Sequence, residues 1–205
     1  MSVQRRKTER PGEILEAAFE EFSQKGFAAT RLDDVAARAD VTKGTIYVYF
    51  SSKEELFETM VRQLMAPVVD KTGDLLSIEA ETPEQVIRAF LSFVYDNLAR
   101  ERRTRELIRL LLLETDRFPI LIEEHYETFI VPVMGKLRAL LLELQAKGKI
   151  RSLPALDFPE LFLGPAMSLT IWRLMFRKAP EIDTDAHMEG VLDLFLNGLQ
   201  PSVMT

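Results

Sequence analysis

The run TKGTIYVY, residues 42–49, collects polar groups of one chemical kind in a single short segment. Lys43 carries an ammonium that donates to a phosphate or a guanine edge. Thr42 and Thr45 add hydroxyls and a methyl, and Tyr47 and Tyr49 bring rigid rings with phenol donors. Gly44 has no side chain, so a sugar-phosphate chain can approach it closely. These groups hold and read nucleic acid, and none of them is a nucleophile with a base beside it. Elsewhere the chain offers catalysis little. It has two histidines, His125 and His187, and no cysteine, which leaves no thiolate nucleophile, cysteine-based zinc site or disulfide framework. There is no His-Glu-x-x-His pattern and no phosphate-cradling glycine loop. Adjacent carboxylates such as Glu123 and Glu124 point in different directions on a helix. No catalytic residue, metal or cofactor is expected.

The elements that must position residues 42–49 are helical, and the spacing predicts an all-α fold. Ile14, Leu15, Ala18, Phe19 and Phe22 line one face of a first helix from about residue 10 to 25, which Gly26 can end. Thr30 with Asp33 reads as a capping box that opens a short second helix, with Leu32, Val35, Ala36 and Ala39 inward. Thr42 caps a third helix with Ile46 and Phe50 inward, which leaves Lys43, Thr45, Tyr47 and Tyr49 pointing elsewhere. Ser52 with Glu55 opens a fourth, which Pro67 is expected to bend or stop. The pair of short helices joined by a tight turn is a helix-turn-helix. In that motif the first helix packs across the second, and the second enters the DNA major groove. Lys53, at the start of the fourth helix, sits beside amides that attract phosphate.

The segment ILEAAFEEFSQKGFAATRLDDVAARADVTKGTIYVYFSSKEELF, residues 14–57, resembles the tetracycline-repressor-like (TetR) family of bacterial transcription regulators. The resemblance implies a three-helix DNA-binding head at 1–55 and a helical ligand-binding and dimerisation body at 56–205, working through a small-molecule effector. By position, Thr42, Lys43, Gly44, Thr45, Tyr47 and Tyr49 correspond to the family's recognition helix. Thr30, Arg31 and Lys53 correspond to its backbone-positioning contacts. One departure is visible: the family usually has glycine in the turn, and this chain has Asp40, which can also enter the left-handed region. A protein-binding adaptor with a vestigial helix-turn-helix is the reading that the sequence leaves open beside a regulator.

Beyond the head, Thr82-Pro83-Glu84-Gln85 is a strong start signal for a helix to about Arg100. Further helices are expected with Leu137, Leu140, Leu141 and Leu144 before Gly148, at about 158–177 with an interruption at Gly164-Pro165, and at 184–199. Arg100, Arg102, Arg103, Arg105 and Arg109 read as a solvated face. The body is rich in aromatic and thioether side chains, most of which serve packing. Phe93, Glu114, His125, Tyr126, Phe129 and Trp172 are the candidates for lining an effector site between helices. The last helix has a broad apolar face, formed by Met188, Val191, Leu192, Phe195 and Leu199 and widened by Leu194 and Leu196. A helix buried on two sides needs two partners, so a homodimer through the last two helices is expected, reading a pseudo-palindromic operator.

The net charge of −6 speaks against a nucleic-acid partner only as an average. Up to Arg62 there are ten Lys and Arg against eleven Asp and Glu, so most of the acidity belongs to the body. Arg5, Arg6, Lys7 and Arg10 form a basic arm, expected to be disordered and to reach a groove or flanking phosphates. Apolar runs such as Leu110–Leu113 fall far short of the ~20 residues that cross a bilayer, and MSVQRRKTER does not read as a signal peptide. A cytoplasmic protein without a membrane partner is expected.

Overall fold

The computed structural model describes residues 2–76, 81–152, 154–176 and 178–199, with side chains from residue 10 to 72 and in 81–152, 154–176 and 178–197. All its regular elements are helices: α1 (Ser2–Ala29), α2 (Leu32–Arg38), α3 (Lys43–Tyr49), α4 (Lys53–Leu76), α5 (Pro83–Val94), α6 (Arg102–Glu114), α7 (Pro119–His125), α8 (Val131–Ala146), α9 (Gly164–Met175) and α10 (Thr184–Leu199). Wider π-helical turns follow α5 at Tyr95–Arg100 and α7 at Tyr126–Ile130. Among the described residues no helix is long and apolar enough to cross a membrane.

The chain forms two compact units, one of residues 1–67 and 106–122, the other of 68–105 and 123–205. Cutting after residue 55 therefore differs from the structural division in two respects. The first unit runs on to Pro67 in α4, and it takes in the end of α6 and the start of α7. Proline does not stop α4, which stays helical through Pro67.

The first unit is built on α1, whose apolar face buries Ile14, Ala18 and Phe22 completely. Gly26 kinks the element, at φ 79° and ψ 166°, in a region that is essentially glycine's alone. The expected start near residue 10 is also corrected: the backbone is helical from Ser2, while the side chains of Arg5, Arg6 and Lys7 lie outside the described residues and Arg10 pairs with Glu13 at 3.3 Å. α2 has Arg31 as its N-cap with no side-chain cap, which corrects the expected Thr30–Asp33 box. The Thr30 hydroxyl turns inward instead, donating to the Gly26 carbonyl at 2.8 Å and the Glu21 carbonyl at 3.2 Å. Asp40 takes φ 52°, the left-handed turn residue between α2 and α3. Glu21 is buried and ties α1 to α2, with Lys25 and Arg38 each 2.7 Å away. The Lys25 bond is the chief reason its carboxyl is held below the usual range.

In the second unit the inward face of α5 meets α8 and α10 through Ile87, Phe90, Leu91, Leu137, Leu141 and Leu192. The Thr82–Gln85 capping box forms as expected, and Gly148 at φ 69° ends α8. The helix expected to reach Arg100 gives way to a π turn. Its end carbonyls are satisfied from outside: Leu98 by Thr170 at 3.2 Å, and Ala99 by Arg105 at 2.6 Å and Arg173 at 2.8 Å. The solvated arginine face is thus corrected at Arg105 and Arg109, while Arg100 stays exposed. Arg105 caps the π turn, Arg100 pairs with Asp96 and Asp185, and in the first unit Arg109 donates to the Ser23 carbonyl at 2.5 Å.

Candidate nucleic-acid interface

Helix α3 is short and amphipathic. Ile46 is fully buried and Phe50 follows it inward, so residues two positions from Ile46 must face out. Tyr47 is 51% exposed and Val48 73%, and Thr42, Lys43 and Gly44 are also exposed. Thr42 caps the helix, its Oγ1 accepting from the Thr45 amide at 3.1 Å and lying 2.9 Å from the Thr45 hydroxyl. Lys43 Nζ is 2.8 Å from Asp33 Oδ2 on α2, which raises its pKa through that hydrogen bond. Tyr49 is half-buried against the core of the unit.

Gly44 shows what this face is not for. A Cβ built there meets only Thr42 Oγ1, at 3.6 Å, which is ordinary van der Waals contact. Among the described residues nothing requires glycine at 44, although glycine in a helix costs about 0.5–1 kcal/mol relative to alanine.

Arg31 is exposed at the start of α2. Thr30 and Lys53 do not offer free donors to the outer face of α3. Thr30 is 1% exposed with its hydroxyl bonded inward. Lys53 Nζ donates to the carbonyls of Phe27 at 2.7 Å, Thr30 at 2.9 Å and Ala28 at 3.4 Å, and lies 4.4 Å from the centre of the Phe27 ring. Val48 and Asp33 are exposed here and are not among the contacts expected from the sequence. The signal for Val48 was the inward pair Ile46 and Phe50; Asp33 carried none, because its partner is ten residues away on another helix.

The effector candidates divide. His125 stacks on Phe129 at 5.1 Å, and Phe129 meets Phe93 at 6.3 Å, so these three gather in the second unit. Tyr126 is half exposed, and Trp172 lies on an exposed part of α9 against Phe176. Glu114 belongs to the first unit, where it pairs with Arg117 at 3.2 Å. In the second unit the Tyr95 hydroxyl is 2.7 Å from His187 Nδ1, and burial pushes its pKa up to about 12. Burial lowers the pKa of His125; burial and then the Arg173 charge lower that of His187. The folded state therefore favours both neutral imidazoles, and the unfolded chain binds protons more readily. Their contribution to stability is complete above pH 6.5 and is lost as the pH falls below it. Thermal melts are expected to drop by a few degrees between neutral and mildly acidic pH, and by less in a His125→Gln, His187→Gln variant.

A short exposed helix, seated by a second across a left-handed turn, with hydroxyl, ammonium, phenol and bare glycine along its outer face, defines an all-α helix-turn-helix protein. Residues 14–60 match the family model described as bacterial regulatory proteins, tetR family. It is 38% identical over 94 residues to the HTH-type transcriptional regulator YhgD of Bacillus subtilis, covering 46% of this chain and 47% of that one. It is 32% identical over 87 residues to the HTH-type transcriptional repressor NicS of Pseudomonas putida, covering 42% and 41%. The chain thus spans under half the length of these relatives. In fold it is similar to the transcriptional regulator FadR from Bacillus subtilis in complex with stearoyl-CoA, with a TM-score of 0.70 at 21% identity, covering 92% of this chain and 98% of that one.

Proposed function

We propose that this protein is a DNA-binding repressor of transcription that leaves a pseudo-palindromic operator when a small molecule binds its body. The observation that carries the reading is the outer face of α3, where an exposed Gly44 lies between the Thr42 cap, Lys43 and Tyr47 without any need for glycine inside the fold. The repressor NicS, similar over 87 residues, supports the direction of control. For the effector, Phe93, His125 and Phe129 form an apolar group with one neutral imidazole, suited to an uncharged or apolar molecule. The stearoyl-CoA bound by FadR is a ligand with a long apolar part held in the same fold. A homodimer through α9 and α10 is supported by exposed Trp172 and Met175 on α9, Phe176 just after it, and Leu194, 71% exposed, on α10. Met188 and Leu192 turn the opposite way, into the body's own core.

A mobility-shift assay on duplexes from around the protein's own coding region tests this reading, with Gly44→Ala as the variant. Alanine is expected to stabilise the head by about 0.5–1 kcal/mol while weakening operator binding. An overpacked contact costs about 1–3 kcal/mol, or roughly five- to 150-fold in affinity. Unchanged affinity in Gly44→Ala, or no specific shift by the unaltered protein, refutes the assignment of this face.

A further inference from the structure

We propose that Asp33 is a specificity-determining residue of the DNA-reading face, reserving Lys43 for base edges by opposing its capture by phosphates. The proposal rests on the DNA-binding reading above. Lys43 Nζ and Asp33 Oδ2 are 2.8 Å apart, across the gap between the first turn of α2 and the first turn of α3. Both side chains stay exposed, 45% for Lys43 and 64% for Asp33. An ion pair so open to water contributes little to folding. Its placement is therefore better explained by what happens at the surface it occupies. The neighbouring carboxylate, Asp34, is turned to Lys25 at 2.9 Å, and the Thr42 and Thr45 hydroxyls engage each other. Asp33 is the carboxylate that Lys43 meets, with the phenol of Tyr47 one helical turn along.

The two kinds of DNA contact differ in how they treat that carboxylate. A phosphate drawn to Lys43 brings a negative charge to within a few ångströms of Asp33, well inside the Debye length, and the repulsion offsets part of the attraction. A guanine edge is neutral. The ammonium has three protons, so it can keep one on Asp33 and give two to guanine O6 and N7, with the carboxylate fixing its direction. Asp33 thus weakens attachment to any duplex more than it weakens attachment to the right one, which is specificity by penalising the competitor.

The test uses the full chain and two probes, a random-sequence duplex and a duplex that the protein itself selects from a random pool, each titrated across a salt series. Asp33→Asn is expected to bind the random duplex about tenfold more tightly, with the slope of log affinity against log salt steeper by ~0.9, the signature of one more phosphate neutralised. Affinity for the selected duplex should rise less, so the ratio between the two falls. In a Lys43→Gln background most of the gain should vanish. The proposal is overturned if Asp33→Asn leaves random-duplex affinity and slope unchanged, or if it weakens both duplexes alike with a lower melting temperature, the mark of a structural role. If the unaltered protein binds neither duplex, the DNA-binding reading fails and the proposal with it; the preceding outcomes sink the proposal alone.

Discussion

Replacing Phe118 by alanine is expected to remove about 3–5 kcal/mol from the first unit, a large part of the ~5–15 kcal/mol that holds a domain together. Phe118 stacks on Phe57 with centroids 4.6 Å apart and rings 23° from parallel, and meets Phe27 edge-on at 5.1 Å. Phe22 closes the group, 5.6 Å from Phe27 and 5.2 Å from Phe57. All four rings are at most 4% exposed, so truncation leaves a cavity that three rigid neighbours cannot collapse to fill. Hydrogen exchange at the amides of α1 to α3 is the suitable readout, because the single tryptophan, Trp172, lies in the other unit. Protection there should fall sharply in Phe118→Ala. Phe118→Leu, which keeps the burial but loses the ring contacts, should lose about 0.5–1.5 kcal/mol. Full protection in the alanine variant would show that the head does not depend on residues 106–122. By the same argument residues 1–67 alone lack Phe118, Leu107, Leu110 and Leu121, and are expected to be poorly folded.

Phe118 also marks where the sequence stopped being legible. Signals confined to a few neighbouring residues were read correctly: the Thr42 and Thr82 caps, the glycine stop at Gly148, the left-handed turn at Asp40 and the inward pair Ile46 and Phe50. Each depends on backbone geometry within a turn or two. Contacts between distant segments left no such trace. Phe118 was one aromatic among many in a segment counted with the body, and nothing periodic tied it to Phe57, sixty-one positions earlier. The arginines at 100, 105 and 109 looked alike along the chain, yet each meets a different carbonyl or carboxylate that only the fold brings near. On the candidate interface, residue types gave the outer face of α3 but not how each polar group is employed. Thr30 and Lys53 have the chemistry of phosphate contacts and are used inside the protein instead.

Lys53→Met is therefore expected to act first on folding. The ammonium has three protons, and three carbonyls, two at the end of α1 and that of Thr30 just beyond it, receive them. Its charge also rests on the face of Phe27, the ring that Phe118 and Phe57 pack against. Hydrogen bonds to a charged group contribute about 1.5–3 kcal/mol, and methionine would leave those carbonyls short of a donor in a half-buried place. A loss of about 2–3 kcal/mol in the first unit is expected, measured by denaturant unfolding. Lys53→Arg keeps the charge and should remain destabilised, because a planar fork does not converge on three carbonyls as an ammonium does. DNA binding separates the two possible roles. A phosphate contact would lower the slope of log affinity against log salt by ~0.9 and leave stability almost untouched. A residue that seats α4 against the end of α1 should leave the slope as it is, and weaken the selected duplex more than the random one. The reason is that base readout depends on where α3 is held, whereas phosphate attraction does not.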